Sequence, residues 1–78
     1  MESLATEAIV LHAFDYLETS RIIRLMTREA GVQSVLARGA RSSRKRFGSA
    51  VDLFAQGLVE IHVRPNRDLQ LLASFDVT

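Results

Sequence analysis

Apolar and polar positions alternate with period two along most of the chain, the signature of half-buried strands. Residues 7–16 read as a long strand with Ala8, Val10, His12, Phe14 and Tyr16 on one face and Ile9, Leu11 and Ala13 on the other. Apolar residues on both faces imply a strand covered on both sides, or one that coils from one sheet into another. Leu17-Glu18-Thr19-Ser20 is polar enough for a turn. Residues 21–29 admit two readings. As a helix, Ser20 is an N-cap, Ile22, Ile23 and Met26 form a stripe, and Gly31 stands just past the end. As a strand, Arg21, Ile23, Leu25 and Thr27 share one face, and Ile22, Arg24, Met26 and Arg28 the other. The strand is preferred, because Ala30-Gly31 leads directly into Val32-Gln33-Ser34-Val35-Leu36-Ala37, which reads as its hairpin partner.

Residues 38–49 are a loop by composition, holding two Gly, three Ser and five cations. Ser49 is placed to cap a short helical turn over Ala50 to Phe54, with Asp52 near its positive end. Residues 53–64 form another long strand. Leu53, Ala55, Gly57, Val59, Ile61 and Val63 face one way, and the more polar set Phe54, Gln56, Leu58, Glu60, His62 and Arg64 faces the other. Pro65-Asn66-Arg67-Asp68 is a turn. Residues 69–77 are the last strand, with Leu69, Leu71, Ala73, Phe75 and Val77 on the core face and Gln70, Ser74 and Asp76 opposite. The pattern is therefore all-β: five strands, hairpin turns between several, and a long basic connection after the third. An antiparallel meander this short buries its inner face only by closing into a small barrel. Five strands with the longest link after the third is the pattern of an OB-fold, and an SH3-like barrel fits the same pattern.

Composition narrows the function classes. A chain of 78 residues is one domain at most, without room for a large enclosed active-site cavity. It has no cysteine, hence no disulfide framework and no thiolate metal site. No apolar run approaches the roughly 18 residues a membrane span needs, and the N-terminus lacks the basic and cleavage regions of a signal peptide. A reducing, cytosolic setting is expected. Catalysis needs a constellation, and none is legible. His12 and His62 lie in separate strands without an acidic partner, Asp15 and Glu18 are turn carboxylates, and no nucleophile, phosphate-loop or zinc motif occurs. No cofactor or metal is expected.

Net charge is +1, but its distribution is uneven. Residues 30–51 contain no Asp or Glu and carry Arg38, Arg41, Arg44, Lys45 and Arg46, so +5, while the rest of the chain carries −4. A cationic stretch in a near-neutral chain gathers anionic partners. Arginine suits phosphate through its planar two-pronged donor. Gly39, Ser42 and Ser43 add flexibility and further donors. Phe47, next to Arg46, is a candidate for stacking on an unpaired base or for plugging the barrel end. On the strand reading, Arg24 and Arg28 share a face and extend the positive track onto the sheet.

In order along the chain, Ala8-Ile9-Val10-Leu11, Glu18-Thr19-Ser20, Gly31, Ala37-Arg38-Gly39-Ala40-Arg41-Ser42 and Leu53-Phe54 resemble the N-terminal OB-fold domain of the RecO family of bacterial repair and recombination mediators. The resemblance covers nearly all of the chain, and its most specific part is Gly-Ala-Arg-Ser with Glu-Thr-Ser upstream. The family often has a proline where Leu53 stands. RecO proteins continue into a helical domain that in many members carries a zinc site, so the chain is expected to be the N-terminal part of a longer protein.

The resemblance implies a non-enzymatic role: binding single- and double-stranded DNA, annealing complementary strands, and loading the RecA recombinase with RecR onto DNA coated by single-stranded-DNA-binding protein. It implies phosphate contacts from Arg38, Arg41, Arg44, Lys45 and Arg46, with Arg24 and Arg28 lining the approach. The alternatives are a protein-interaction barrel whose basic loop docks an acidic partner, and an RNA-binding barrel of the translation apparatus.

Overall fold

A computed structural model describes residues 2–40 and 52–78, and these build five strands. They are β1 (Glu2–Tyr16), β2 (Ser20–Thr27), β3 (Gly31–Ala37), β4 (Gln56–Val63) and β5 (Leu69–Val77). The strands bond in the order β1-β2-β3-β5-β4 and close back onto β1. Every neighbouring pair is antiparallel except β3 and β5, which run parallel. A three-strand meander joined through one parallel pair to a β4–β5 hairpin is the OB-fold ring, which decides against the SH3-like alternative. Residues 21–27 are a strand paired on both sides, so the helical reading of this segment is excluded.

The first strand is longer than its sequence pattern indicates. It begins at Glu2 rather than at residue 7, and its 15 residues pair with β4 over Glu2–Ile9 and with β2 over Ala8–Tyr16. Fully extended it would reach about 50 Å, whereas the molecule measures 27 Å along its longest axis. It has to bend, and it does so at a bulge. Val10 pairs with Leu25 and His12 with Arg24, leaving Leu11 as the extra residue. One extra residue reverses the in-out alternation. His12, Phe14 and Tyr16, expected on the face of Ala8 and Val10, are exposed instead, and Ala13 packs against the core.

A second bulge corrects the last strand in the same way. Glu60 pairs with Ser74 and Ile61 with Leu72, so Ala73 is the extra residue. Before it, Gln70 and Leu72 are buried and Leu69 and Leu71 only half-buried, the reverse of the expected alternation. After it, Phe75 points inward as expected, while Val77 at the strand end is exposed. A buried glutamine is tolerated because its amide closes the β4–β5 turn. Its Oε1 accepts from the Arg64 amide, and its Nε2 donates to the Arg67 carbonyl at 2.6 Å.

The core inside the ring consists of Ala8, Val10, Ile23, Leu25, Val35, Ala37, Ala40, Val59, Ile61, Leu72 and Phe75. The β2–β3 turn is tied by threonine hydroxyls. Thr27 Oγ1 donates to the Gly31 carbonyl at 2.7 Å and accepts from the Ala30 amide at 3.0 Å. Thr6 Oγ1 accepts from the Glu29 amide at 3.1 Å. Gly31 opens β3 at φ +68°, which glycine adopts without a steric cost. β4 starts at Gln56, so Leu53 and Phe54 lie outside it, and Leu53 is exposed rather than core-facing. Of the expected helical turn over Ala50 to Phe54, Ala50 and Val51 lie outside the described residues; Asp52 to Phe54 make a turn rather than helix, with Ala55 N donating to Asp52 O at 3.2 Å and Phe54 at φ +64°.

Candidate nucleic-acid interface

The basic segment is rooted at two places on the ring. Its first root follows β3, where Arg38 is exposed, Gly39 takes φ +73°, and Ala40 is buried with its amide 3.4 Å from the Ala37 carbonyl. The second root is at β1. Phe54 N donates to Val10 O and Val10 N donates to Ala55 O, each at 2.9 Å. These bonds hold Phe54 at φ +64°, a conformation uncommon for an aromatic residue, and its side chain is exposed. Arg41, Arg44, Lys45, Arg46 and Phe47 lie between the two roots and outside the described residues.

The described cations differ in setting. Arg24 projects from the outer face of β2, in register with His12 of β1 and Ser34 of β3. It has no hydrogen-bond or ion-pair partner among the described residues. Arg28 lies at the opposite end of β2 from Arg38, because Arg21 pairs with Ala37 and Thr27 with Gly31. Seven residues of strand separate these ends by about 23 Å. Arg28 also donates through Nη1 to Glu7 Oε2 at 2.9 Å, so a neighbouring carboxylate offsets its charge. Arg38 thus stands at the first root, Arg24 midway along β2, and Arg28 near the second root, its amide donating at 2.9 Å to the carbonyl of Glu7, three residues along β1 from Val10.

Strand register sorts the outer surface into two halves. Across β1–β2–β3 the outward rows are Ile9–Met26–Val32, His12–Arg24–Ser34 and Phe14–Ile22–Leu36. These rows carry one cation and no carboxylate. The outer face of β1–β4–β5 holds Glu7, Glu60 and Asp76. The sequence pattern placed His12, Phe14 and Tyr16 on the face of Val10 because the bulge that turns them outward leaves no mark in the alternation. It also left aside the β4–β5 turn, which brings Arg64 near this surface. Leu69 pairs with Ser34, the neighbour of Arg24, and Arg64 Nη2 donates to the Leu69 carbonyl at 2.7 Å.

Among the described residues no group of three or more His, Asp or Glu is arranged to hold a metal ion, and no helix is long and apolar enough to cross a membrane. The cleft between β3 and the β4–β5 pair, lined by Leu36, Arg38, His62 and Leu71, measures about 140 Å³. Two more open clefts are larger, about 700 Å³ along Arg64, Asn66, Arg67 and Leu69 and about 430 Å³ beside Glu7, Gln56 and Thr78.

A closed OB barrel with a carboxylate-free face over β2–β3 and a long basic insertion defines a class whose strand 2–3 face and adjoining loops receive oligonucleotides or oligosaccharides. Comparison with known families places it further. Residues 1–78 match the RecO_N model, described as recombination protein O N terminal, and the chain belongs to that family. It is 45% identical over 76 residues to the DNA repair protein RecO of Anaeromyxobacter sp. (strain Fw109-5), covering 97% of this chain and 30% of that protein. It is 44% identical over 72 residues to that of Syntrophotalea carbinolica, covering 92% of this chain and 28% of the relative. Over 64 residues it is 50% identical to that of Geobacter metallireducens, covering 82% and 26%. The chain therefore spans about three tenths of the length of these curated relatives.

Proposed function

We propose that this barrel is the nucleic-acid-binding module of a recombination and repair mediator, holding single- and double-stranded DNA mainly through phosphate contacts. The observation that carries the reading is charge segregation. A +5 segment free of carboxylates is rooted beside an outer face that also lacks them, in a chain whose net charge is only +1. Arg38, Arg41, Arg44, Lys45 and Arg46 neutralise phosphates, and Arg24 extends the track onto the sheet. Phosphate contacts position a strand without reading it, so sequence preference is weak. Screening two polyanions at once lets base pairing drive annealing. The role is non-enzymatic. In the longer protein, RecR, single-stranded-DNA-binding protein and RecA are the partners with which it acts, and the cytoplasm is its setting.

The test is fluorescence anisotropy of a labelled oligonucleotide against salt. Five phosphate contacts give a log–log slope of about −3.5 on single strands. Changing Arg44, Lys45 and Arg46 together to Ala weakens binding to all sequences alike and reduces the slope magnitude by about 2. Affinity indifferent to salt overturns the reading. Unchanged DNA affinity in the triple variant, with loss of a protein partner, favours the acidic-partner alternative.

A further inference from the structure

The proposed phosphate contacts treat single and double strands alike, but the surface beside them does not. The bulge at Leu11 turns His12, Phe14 and Tyr16 to the outside of β1. Phe14 is 46% exposed and Tyr16 40% exposed, large values for aromatic side chains on a strand. The His12 and Phe14 rings sit 5.6 Å apart and tilted at 49°, which makes one continuous aromatic surface. Bulges re-aim side chains, and they concentrate beside functional sites.

Spacing sets the ligand. Residues two apart on a strand stand about 6.8 Å apart at Cα, and the His12 and Phe14 rings 5.6 Å apart, both well beyond the ~3.4 Å rise per nucleotide of a duplex strand. Rings at that interval receive successive bases of an extended, unstacked strand. A duplex keeps its bases stacked inside and offers such rings only its backbone. Charge agrees with this ligand, because Arg24 stands opposite His12 in rows without a carboxylate, and the nearest acids, Asp15 and Glu7, are offset by Arg21 at 3.4 Å and Arg28 at 2.9 Å. Stacking on exposed aromatics interleaved with cations is the general mode of sequence-tolerant single-strand binding.

We propose that His12, Phe14 and Tyr16, turned outward by the Leu11 bulge, form a base-stacking strip that gives this barrel a preference for single-stranded over double-stranded nucleic acid. The proposal rests on the DNA-binding reading above and adds its selectivity. Phe14 carries the largest contact, Tyr16 takes the next base, and Arg24 meets the phosphate between them and the basic segment.

The molecule contains its own probe. Tyr16 is the one tyrosine, and there is no tryptophan. Oligothymidylate titrated into the full chain is expected to quench Tyr16 emission in step with the anisotropy of a labelled strand. A duplex of equal length is expected to bind without quenching. Phe14→Leu keeps an apolar side chain at an exposed position and removes the ring. It is expected to weaken single-strand binding about tenfold, to leave duplex binding and the salt slope unchanged, and to be rescued by Phe14→Trp. Unchanged tyrosine emission at saturation, or wild-type single-strand affinity in Phe14→Leu, overturns the strip. If Phe14→Leu instead abolishes self-association of the chain and spares DNA, the face docks protein and the proposal fails. Loss of binding in the triple basic variant but not in Phe14→Leu rejects the strip alone. Absence of DNA binding in the wild type rejects the parent reading together with it.

Discussion

Thr27 shows how much one hydroxyl holds at the edge of the barrel. It both donates and accepts within the β2–β3 turn, and it is buried. Replacing it by valine preserves the shape but leaves the Ala30 amide and the Gly31 carbonyl without this partner. The expected loss is about 1–3 kcal/mol, read as a lower urea midpoint at unchanged slope, and Thr27→Ser is expected to recover most of it. Gln70 plays a similar part at the β4–β5 turn, where one amide serves two backbone groups. Gln70→Leu is expected to destabilise by a comparable amount and to speed hydrogen exchange at the Arg64 amide more than at core amides. Both side chains are polar groups that are buried because each is satisfied.

At the scale of elements, close approach between strands sets the tolerance. Gly57 of β4 lies between Ala8 and Val77, and a Cβ built there would stand 2.0 Å from the Asp76 carbonyl oxygen. That neighbour is backbone and cannot swing aside. Gly57→Ala is therefore expected to cost about 1–3 kcal/mol, the range for overpacking, and to loosen the β4–β5 pairing first. Local hydrogen exchange in β5 is the measurement. The bulges act at the same scale. Leu11 and Ala73 each shift the phase of a strand by one residue, and everything beyond them changes face. The aromatic strip on β1 exists through this phase change, since a regular strand of the same sequence would carry Phe14 on the face of Val10.

For the whole molecule, a core of small aliphatics and one phenylalanine has to hold a closed ring. Leu25 and Ile23 are fully buried at its centre. Leu25→Ala is expected to cost about 2–5 kcal/mol, a large part of the roughly 4–12 kcal/mol a chain of this size commands, so thermal unfolding should begin near ambient temperature. The outer surface follows a division of labour, with carboxylates on β1–β4–β5 and aromatic, apolar and cationic side chains on β1–β2–β3.

Alternation and turn chemistry in the sequence determined the five strands, their order along the chain and the cationic segment, because strand period, Gly and Pro geometry and charge are local properties. The run of motifs from Ala8 to Phe54 also carried the family. Which side chains of β1 and β5 face inward was decided only by tertiary structure. A strand too long for its barrel must bend, the bend consumes one residue, and no local pattern announces where. The pairing of Arg28 with Glu7, the burial of Gln70 and the position of Arg24 between His12 and Ser34 are likewise products of register between segments distant in sequence. Register is set by closing the ring around its core, which is a property of all the strands together and of none alone.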